Sequence, residues 1–286
     1  MDSGDPAETR DALSFLGSLD GQTTNPSLVA KNPATAGKKF SKDELMNFYR
    51  AVVEEVSGLI PAGSVSIEVY ADANTSADEM LKQGRDFYTW IPNAHIKYPT
   101  TPQGLKAAEI SVKEGMRVNM TLVFSQEQAA AVYAATKGAK KGDVFLSPFI
   151  GRLDDRGENG MDLISNIVKM YQQGDGHVEV LTASVRSVDH FLEAVNLSSN
   201  IITSPLKILR EWATAGAKMP DENFKYSPAN LKAIPYQEIS LDMPWENYSL
   251  GHELTTKGLQ KFAEDWNNLI DKNFPPEADP PPAEKN

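Results

Sequence analysis

Two periodicities take turns along this chain, and that exchange limits its fold more than any single residue does. Helix-like segments, with apolar side chains spaced three and four apart, alternate with short β-type runs. Residues 5–17 read as a helix that starts at Asp5 with Pro6 in its first turn, and residues 41–59 as one capped by Ser41 with Glu44 three positions on. Further helices are predicted over 74–90, 103–114, 125–138, 159–173, 187–196 and 205–215. Between them fall predicted strands: Gly21 to Thr24, 65–69, the run through Lys97, 117–122, 143–148, 178–183 and 200–203. A strand that returns to its sheet through a helix runs parallel to its predecessor. Counting Asp2 as the end of a first strand gives eight β/α units in about 215 residues. The predicted fold is therefore a closed (β/α)8 TIM barrel, α/β in class, whose first strand is shortened at its N-terminal end. A doubly wound open sheet is the alternative, weakened because no glycine-rich phosphate fingerprint follows any strand.

Beyond the barrel, residues 216–250 read as loop, rich in Pro, Asn and aromatic residues. Leu254 to Lys272 reads as a closing helix with Phe262, Trp266 and Leu269 on one face. The expected organisation is one barrel domain over 1–272 and a proline-rich, disordered tail over 273–286. A net charge of −11 argues against a nucleic-acid partner or an anionic membrane surface, both of which need a basic field. It also means that an anionic substrate must be held by a local group of arginines and backbone amides. No apolar stretch approaches the roughly 20 residues that span a bilayer. The chain has no cysteine, which excludes disulfides, thiolate nucleophiles and Cys-based metal sites. Its first residues lack the basic and apolar regions of a signal peptide, so a cytoplasmic location is expected. Oligomeric state stays open, a homo-oligomer included.

Lys97 lies in the run Asn93-Ala94-His95-Ile96-Lys97-Tyr98-Pro99-Thr100-Thr101. Strand alternation puts Ile96 and Tyr98 on one face and His95 and Lys97 on the other. An ammonium pointing into a barrel loses hydration and favours its neutral amine, which attacks carbonyls to give a Schiff base. The plainer reading is a strand-end lysine whose head reaches solvent. In a barrel of this kind the chemistry sits at the C-terminal ends of the strands. There the runs supply Asn25, Glu68, Lys97, Asn119, Thr121, Ser147 followed by Arg152, and Ser184 with Arg186. An amine, a carboxylate, amides, hydroxyls and two guanidinium groups converge on one rim. Singly, each has a dull explanation: Glu68 as partner of a helix lysine, Asn25 as a helix cap, the arginines as surface charges.

Five strings carry a family resemblance. Thr23-Thr24-Asn25-Pro26-Ser27-Leu28, His95-Ile96-Lys97-Tyr98-Pro99-Thr100, Val118-Asn119-Met120-Thr121-Leu122-Val123-Phe124-Ser125, Leu146-Ser147-Pro148-Phe149-Ile150-Gly151-Arg152 and Ala183-Ser184-Val185-Arg186 resemble successive motifs of the transaldolase family, in its order and at comparable spacing. The segment 254–266 resembles its closing helix. The resemblance implies a class I Schiff-base mechanism on a (β/α)8 barrel. A dihydroxyacetone unit would pass from a ketose phosphate (sedoheptulose 7-phosphate or fructose 6-phosphate) to an aldose phosphate, as in the non-oxidative pentose phosphate pathway. It makes Lys97 the Schiff-base lysine, Glu68 the carboxylate that moves protons through a water, and Thr121 the holder of that water. Asn25, Asn119 and Ser147 would bind the hydroxyls of the transferred unit. Arg152 and Arg186, with Ser184 beside them, would receive the phosphate, which a planar guanidinium grips by two oxygens.

Asp2, in Asp2-Ser3-Gly4-Asp5, resembles the family's acid–base aspartate at the end of its first strand, although almost all of that strand is missing here. A barrel short of a strand is expected to carry two unpaired edges and a gap in its core. The related fructose-6-phosphate aldolases carry glutamine in place of Glu68 and tyrosine in place of Phe149, so this chain resembles the transferases more. A non-catalytic sugar-phosphate-binding barrel is the remaining alternative. The implied partners are sugar phosphates, and the chemistry calls for no metal or other cofactor. His95 reads as a packed, hydrogen-bonded residue one layer below Lys97. His177, His190 and His252 show no metal-ligand spacing, and Asp154, Asp155 and Glu158 read as solvated carboxylates.

Overall fold

The computed structural model describes residues 1–228 and 230–271. Among them, seven parallel strands follow one another in sequence order, each hydrogen-bonded to its neighbour. They are β1 (Gly21–Thr23), β2 (Ser64–Glu68), β3 (Ala94–Pro99), β4 (Val118–Val123), β5 (Val144–Pro148), β6 (Val178–Thr182) and β7 (Ile201–Ile202). The helices before and between them are α1 (Pro6–Leu16), α2 (Pro26–Ala30), α3 (Lys42–Leu59), α4 (Ala77–Tyr88), α5 (Pro102–Lys113), α6 (Gln126–Ala135), α7 (Ile150–Asp154), α8 (Gly160–Tyr171) and α9 (Val188–Asn196). After β7 come α10 (Leu206–Thr214) and the closing helix α11 (Glu253–Asn267). The arrangement is the expected (β/α)8 TIM barrel with a shortened first strand and an added C-terminal helix.

Local chemistry sets the helix starts. Ser41 and Ser76 each form a capping box, with Glu44 and Glu79 returning the bond. The second box places the start of α4 at Ala77, three residues inside the predicted boundary. Asp5 and Thr101 cap helices whose first residue is proline.

Residues 1–3 close the ring. Thr23 N donates to Met1 O (2.8 Å), Ser3 N to Thr23 O (3.1 Å), and Asp2 N to Ser204 O (2.9 Å), just past β7. Residue 2 therefore joins both open edges at the end of the strands where chemistry is expected. At the other end a cavity of about 980 Å³ lies among the strand starts, lined by Gly21, His95, Phe145 and Ile202 among others. The expected gap is there, but confined to the barrel floor.

Every residue of β3, β4 and β5 is buried. Burial does not alternate, yet chemistry does. Ile96 and Tyr98 face the helices, where Gly84 of α4 has no room for a Cβ beside the Tyr98 hydroxyl. His95, Lys97, Asn119, Thr121 and Ser147 occupy the alternate positions, inside the ring. β4 carries a bulge between Met120 and Val123, with Leu122 at φ +60°. That left-handed turn presents the Leu122 carbonyl to Thr255 Oγ1 of α11 at 2.9 Å, which anchors the closing helix to the barrel mouth.

The described residues of 216–250 are largely irregular, as expected, with a 3-10 turn at Trp245–Asn247. They are nevertheless pinned: Lys232 exchanges backbone bonds with Gly157 and Asn159 at 2.7 and 2.8 Å. The predicted tail, 273–286, lies outside the described residues. Among those residues no helix is long and apolar enough to cross a membrane.

Candidate active site

The Lys97 side chain is 3% exposed. Its Nζ donates to the Thr24 carbonyl oxygen at 2.9 Å and meets Glu68 Oε2 at 3.0 Å. Strand register produces the second contact, because Glu68 on β2 is the direct neighbour of Lys97 on β3, with Asn119 beside it on β4. Glu68 is equally dry. Burial pushes its carboxyl above the usual range, although the Lys97 ammonium and, more weakly, Arg152 pull it back down; the charge of Asp2 adds to the rise. An amine and a carboxyl in water-free contact can pass a proton between them.

Tyr49 of α3 braces Glu68 and Thr24 from outside the ring. Glu68 N donates to its hydroxyl oxygen at 2.9 Å, and that hydroxyl lies 2.6 Å from Thr24 Oγ1. Thr24 Oγ1 donates to Ser66 O at 2.8 Å, so its proton is committed and Tyr49 must be the donor between them. One directed chain thus runs from Glu68 through Tyr49 and Thr24 to Ser66. It holds the two residues that Lys97 touches.

Deeper in the barrel, Asn119 Nδ2 donates to Ser66 Oγ at 3.0 Å, and its Oδ1 accepts from Ser147 Oγ at 2.7 Å. The Thr121 hydroxyl is buried without a hydrogen-bond partner among the described residues. Asp2 is ordered: its Oδ1 accepts from Thr23 Oγ1 at 2.6 Å, and Thr23 also contacts Thr203 Oγ1 at 2.6 Å. Asn25 does serve as a helix cap, its Oδ1 accepting from Leu28 N at 2.9 Å.

The two predicted arginines differ. Arg152 on α7 lies over the rings of Phe149 and Phe262, its guanidinium carbon 5.2 and 5.3 Å from their centres. No carboxylate pairs with it among the described residues, and burial pushes its basicity down. Arg186 instead gives Nη2 to Asp155 Oδ2 at 2.8 Å. Ser184 precedes it in the left-handed region, φ +61°, and its carbonyl accepts from Gly151 N at 3.1 Å. A Cβ on Gly151 would strike that carbonyl and the Arg186 side chain, so only glycine lets α7 lie this close.

The chain as a whole has relatives among known proteins. The family model described as Transaldolase/Fructose-6-phosphate aldolase matches residues 1–273. A probable transaldolase of Dehalococcoides mccartyi is 39% identical over 211 residues, 74% of this chain and 88% of that protein. Probable transaldolases of Herpetosiphon aurantiacus and Rhodospirillum centenum are 34% and 35% identical over 271 and 280 residues, covering 95% and 96% of this chain and 95% of each relative. The chain belongs to the transaldolase/fructose-6-phosphate aldolase family.

Other polar residues of this family member find structural partners. His95 stacks on Phe145 at 4.0 Å, its Nε2 lies 2.9 Å from Gly142 O, and burial pushes its pKa down to about 4. Among the described residues no group of three His, Asp or Glu side chains is placed to hold a metal. Asp154 corrects the sequence reading, because it is not simply solvated, whereas Asp155 is 61% exposed as that reading expects. Asp154 accepts from Gly160 N at 2.9 Å and pairs with His190 Nε2 at 2.9 Å, and Asp155 holds Arg186. Sequence reasoning missed Tyr49, Asp155 and Phe262 as parts of the site. Only Phe262 left a signal, its place on the apolar face of the closing helix.

Proposed function

We propose that this chain is an enzyme of the transaldolase type, moving a dihydroxyacetone unit from a ketose phosphate to an aldose phosphate through a Schiff base on Lys97. The observation that carries the reading is the dry 3.0 Å contact between Lys97 and Glu68 at the mouth of a barrel. Proton transfer from the ammonium to the carboxylate frees the amine, which adds to C2 of the ketose; loss of water then leaves a protonated imine. Removal of the C4 hydroxyl proton breaks the C3–C4 bond. Its electron pair moves into the imine, giving an enamine, and the aldose phosphate departs. Asp2 is the candidate base for that proton, held on the same rim by Thr23. The enamine attacks the carbonyl carbon of the acceptor aldose, and hydrolysis of the new imine returns the lysine.

The unpartnered Thr121 hydroxyl suits a water shared with Glu68. Asn119, Ser147 and the amide of Asn25 offer donors and acceptors for sugar hydroxyls. Arg152, with no carboxylate of its own among the described residues, and Arg186 suit the phosphate. Glu68 and Phe149 favour transfer over release of free dihydroxyacetone. The test is borohydride reduction in the presence of fructose 6-phosphate, followed by intact mass. Wild type should gain the mass of a reduced adduct and Lys97→Ala should not; a wild type that gains nothing refutes the Schiff base. Dihydroxyacetone released without an acceptor would instead mark an aldolase.

A further inference from the structure

Arg152 and Arg186 meet at one corner of the rim but are held in opposite ways. Arg152 lies over two aromatic rings and, among the described residues, pairs with no carboxylate. Arg186 already has one: Asp155 takes the end of its fork, Oδ2 to Nη2 at 2.8 Å and Oδ1 to Nη1 at 3.4 Å, the two-point grip a phosphate uses. Asp155 also bears electrostatically on Arg152. The neighbouring Asp154 does the structural work of this loop, binding Gly160 N and His190, whose Nδ1 accepts from Arg186 N at 3.3 Å. Asp155 is thereby free of that duty. Its side chain and that of Arg186 are 61% and 50% exposed, so their pair is easily exchanged for a stronger anion.

We propose that Asp155 is a built-in anion that occupies the phosphate end of Arg186 until a substrate phosphate displaces it, so that every anion binds against the cost of opening this pair and weak ones fall below useful occupancy. The idea rests on the reading that Arg152 and Arg186 receive the substrate phosphate. A monoanionic carboxylate yields to a dianionic phosphate, because the dianion gains from both arginines at once. Weaker anions gain too little to displace it. Asp155 is in this sense a positioning residue, acting through Arg186 and touching no reacting atom.

Calorimetric binding of inorganic phosphate, at fixed ionic strength, separates the possibilities. Asp155→Asn should tighten phosphate about two- to fivefold, the range of an exposed ion pair, and lower KM for the phosphorylated donor more than it changes kcat. It should also let a monoanion such as acetate bind measurably at the same site. Arg186→Ala should weaken phosphate, and in that background Asp155→Asn should no longer tighten it. If Arg186→Ala weakens phosphate while Asp155→Asn leaves it unchanged or weaker, the proposal fails and the phosphate-site reading stands. Equal tightening with and without Arg186 also overturns it, since a general charge effect would then suffice. If Arg186→Ala changes neither phosphate binding nor KM, the reading fails and the proposal falls with it.

Discussion

Replacing Lys97 by Met keeps a long unbranched side chain in place and removes only the cation, leaving Glu68 alone in a dry site. Breaking a buried pair in this way costs about 3–5 kcal/mol while the carboxylate stays charged. Glu68 can escape that penalty by taking a proton. Burial already raises its folded pKa, and loss of the Lys97 ammonium removes the chief influence opposing the rise. For a carboxyl raised on folding, the unfolded chain releases its proton first, so stability is full below the unfolded pKa and falls as pH climbs toward the folded one. The limit is about 1.4 kcal/mol per pH unit. Between pH 5 and 8 that gives up to ~4 kcal/mol, which matches the cost of the charged, unpaired group. Urea denaturation of wild type, Lys97→Met and Lys97→Met/Glu68→Gln across this range supplies the measurement. The single variant should lose stability with rising pH more steeply than wild type, and the double variant should not. Parallel pH profiles for single variant and wild type, or a slope that survives the Glu68→Gln change, would refute the argument that this pair is desolvated.

Two further substitutions probe its surroundings. Tyr49→Phe removes the acceptor of Glu68 N–H, leaving it unpaired at about 1–3 kcal/mol and lowering Tm by roughly 2–10 °C; an unchanged melting curve would show that the chain through Thr24 is not needed. Phe262→Leu keeps an apolar side chain but removes one of the two rings facing Arg152. It should raise KM for a phosphorylated donor about two- to fivefold, which steady-state kinetics will reveal.

Much of this molecule was legible in the sequence because its strands are chemically two-faced. The order His95, Ile96, Lys97, Tyr98 assigns one face to helices and the other to the site before any tertiary contact is known. The Ser41 and Glu44 box is likewise a local statement, as is Asn25 before Pro26. Contacts made only on folding were hidden. Asp155 and Arg186 lie on different strand-to-helix connections, and nothing local in either distinguishes a surface charge from a paired one. Tyr49 falls on the apolar stripe of α3 and reads as core, which its ring is; its hydroxyl acquires a role only when α3 docks on β2. The five-residue α7 has no side-chain cap. Its first two amides are bound by Ala183 and Ser184 just past the end of β6, a tertiary cause with no local signature.

The bond from Asp2 N to Ser204 O joins the first residues of the chain to a segment synthesised much later. At ribosomal speeds of about 5–20 residues per second, the intervening stretch takes roughly 10–40 s to emerge. Throughout that interval residues 1–3 can pair with β1 but not with the segment past β7, and Asp2 has only half of its backbone mooring. Nascent chains of this barrel therefore keep one open edge until Ser204 has emerged, and it is Asp2 whose backbone closes it.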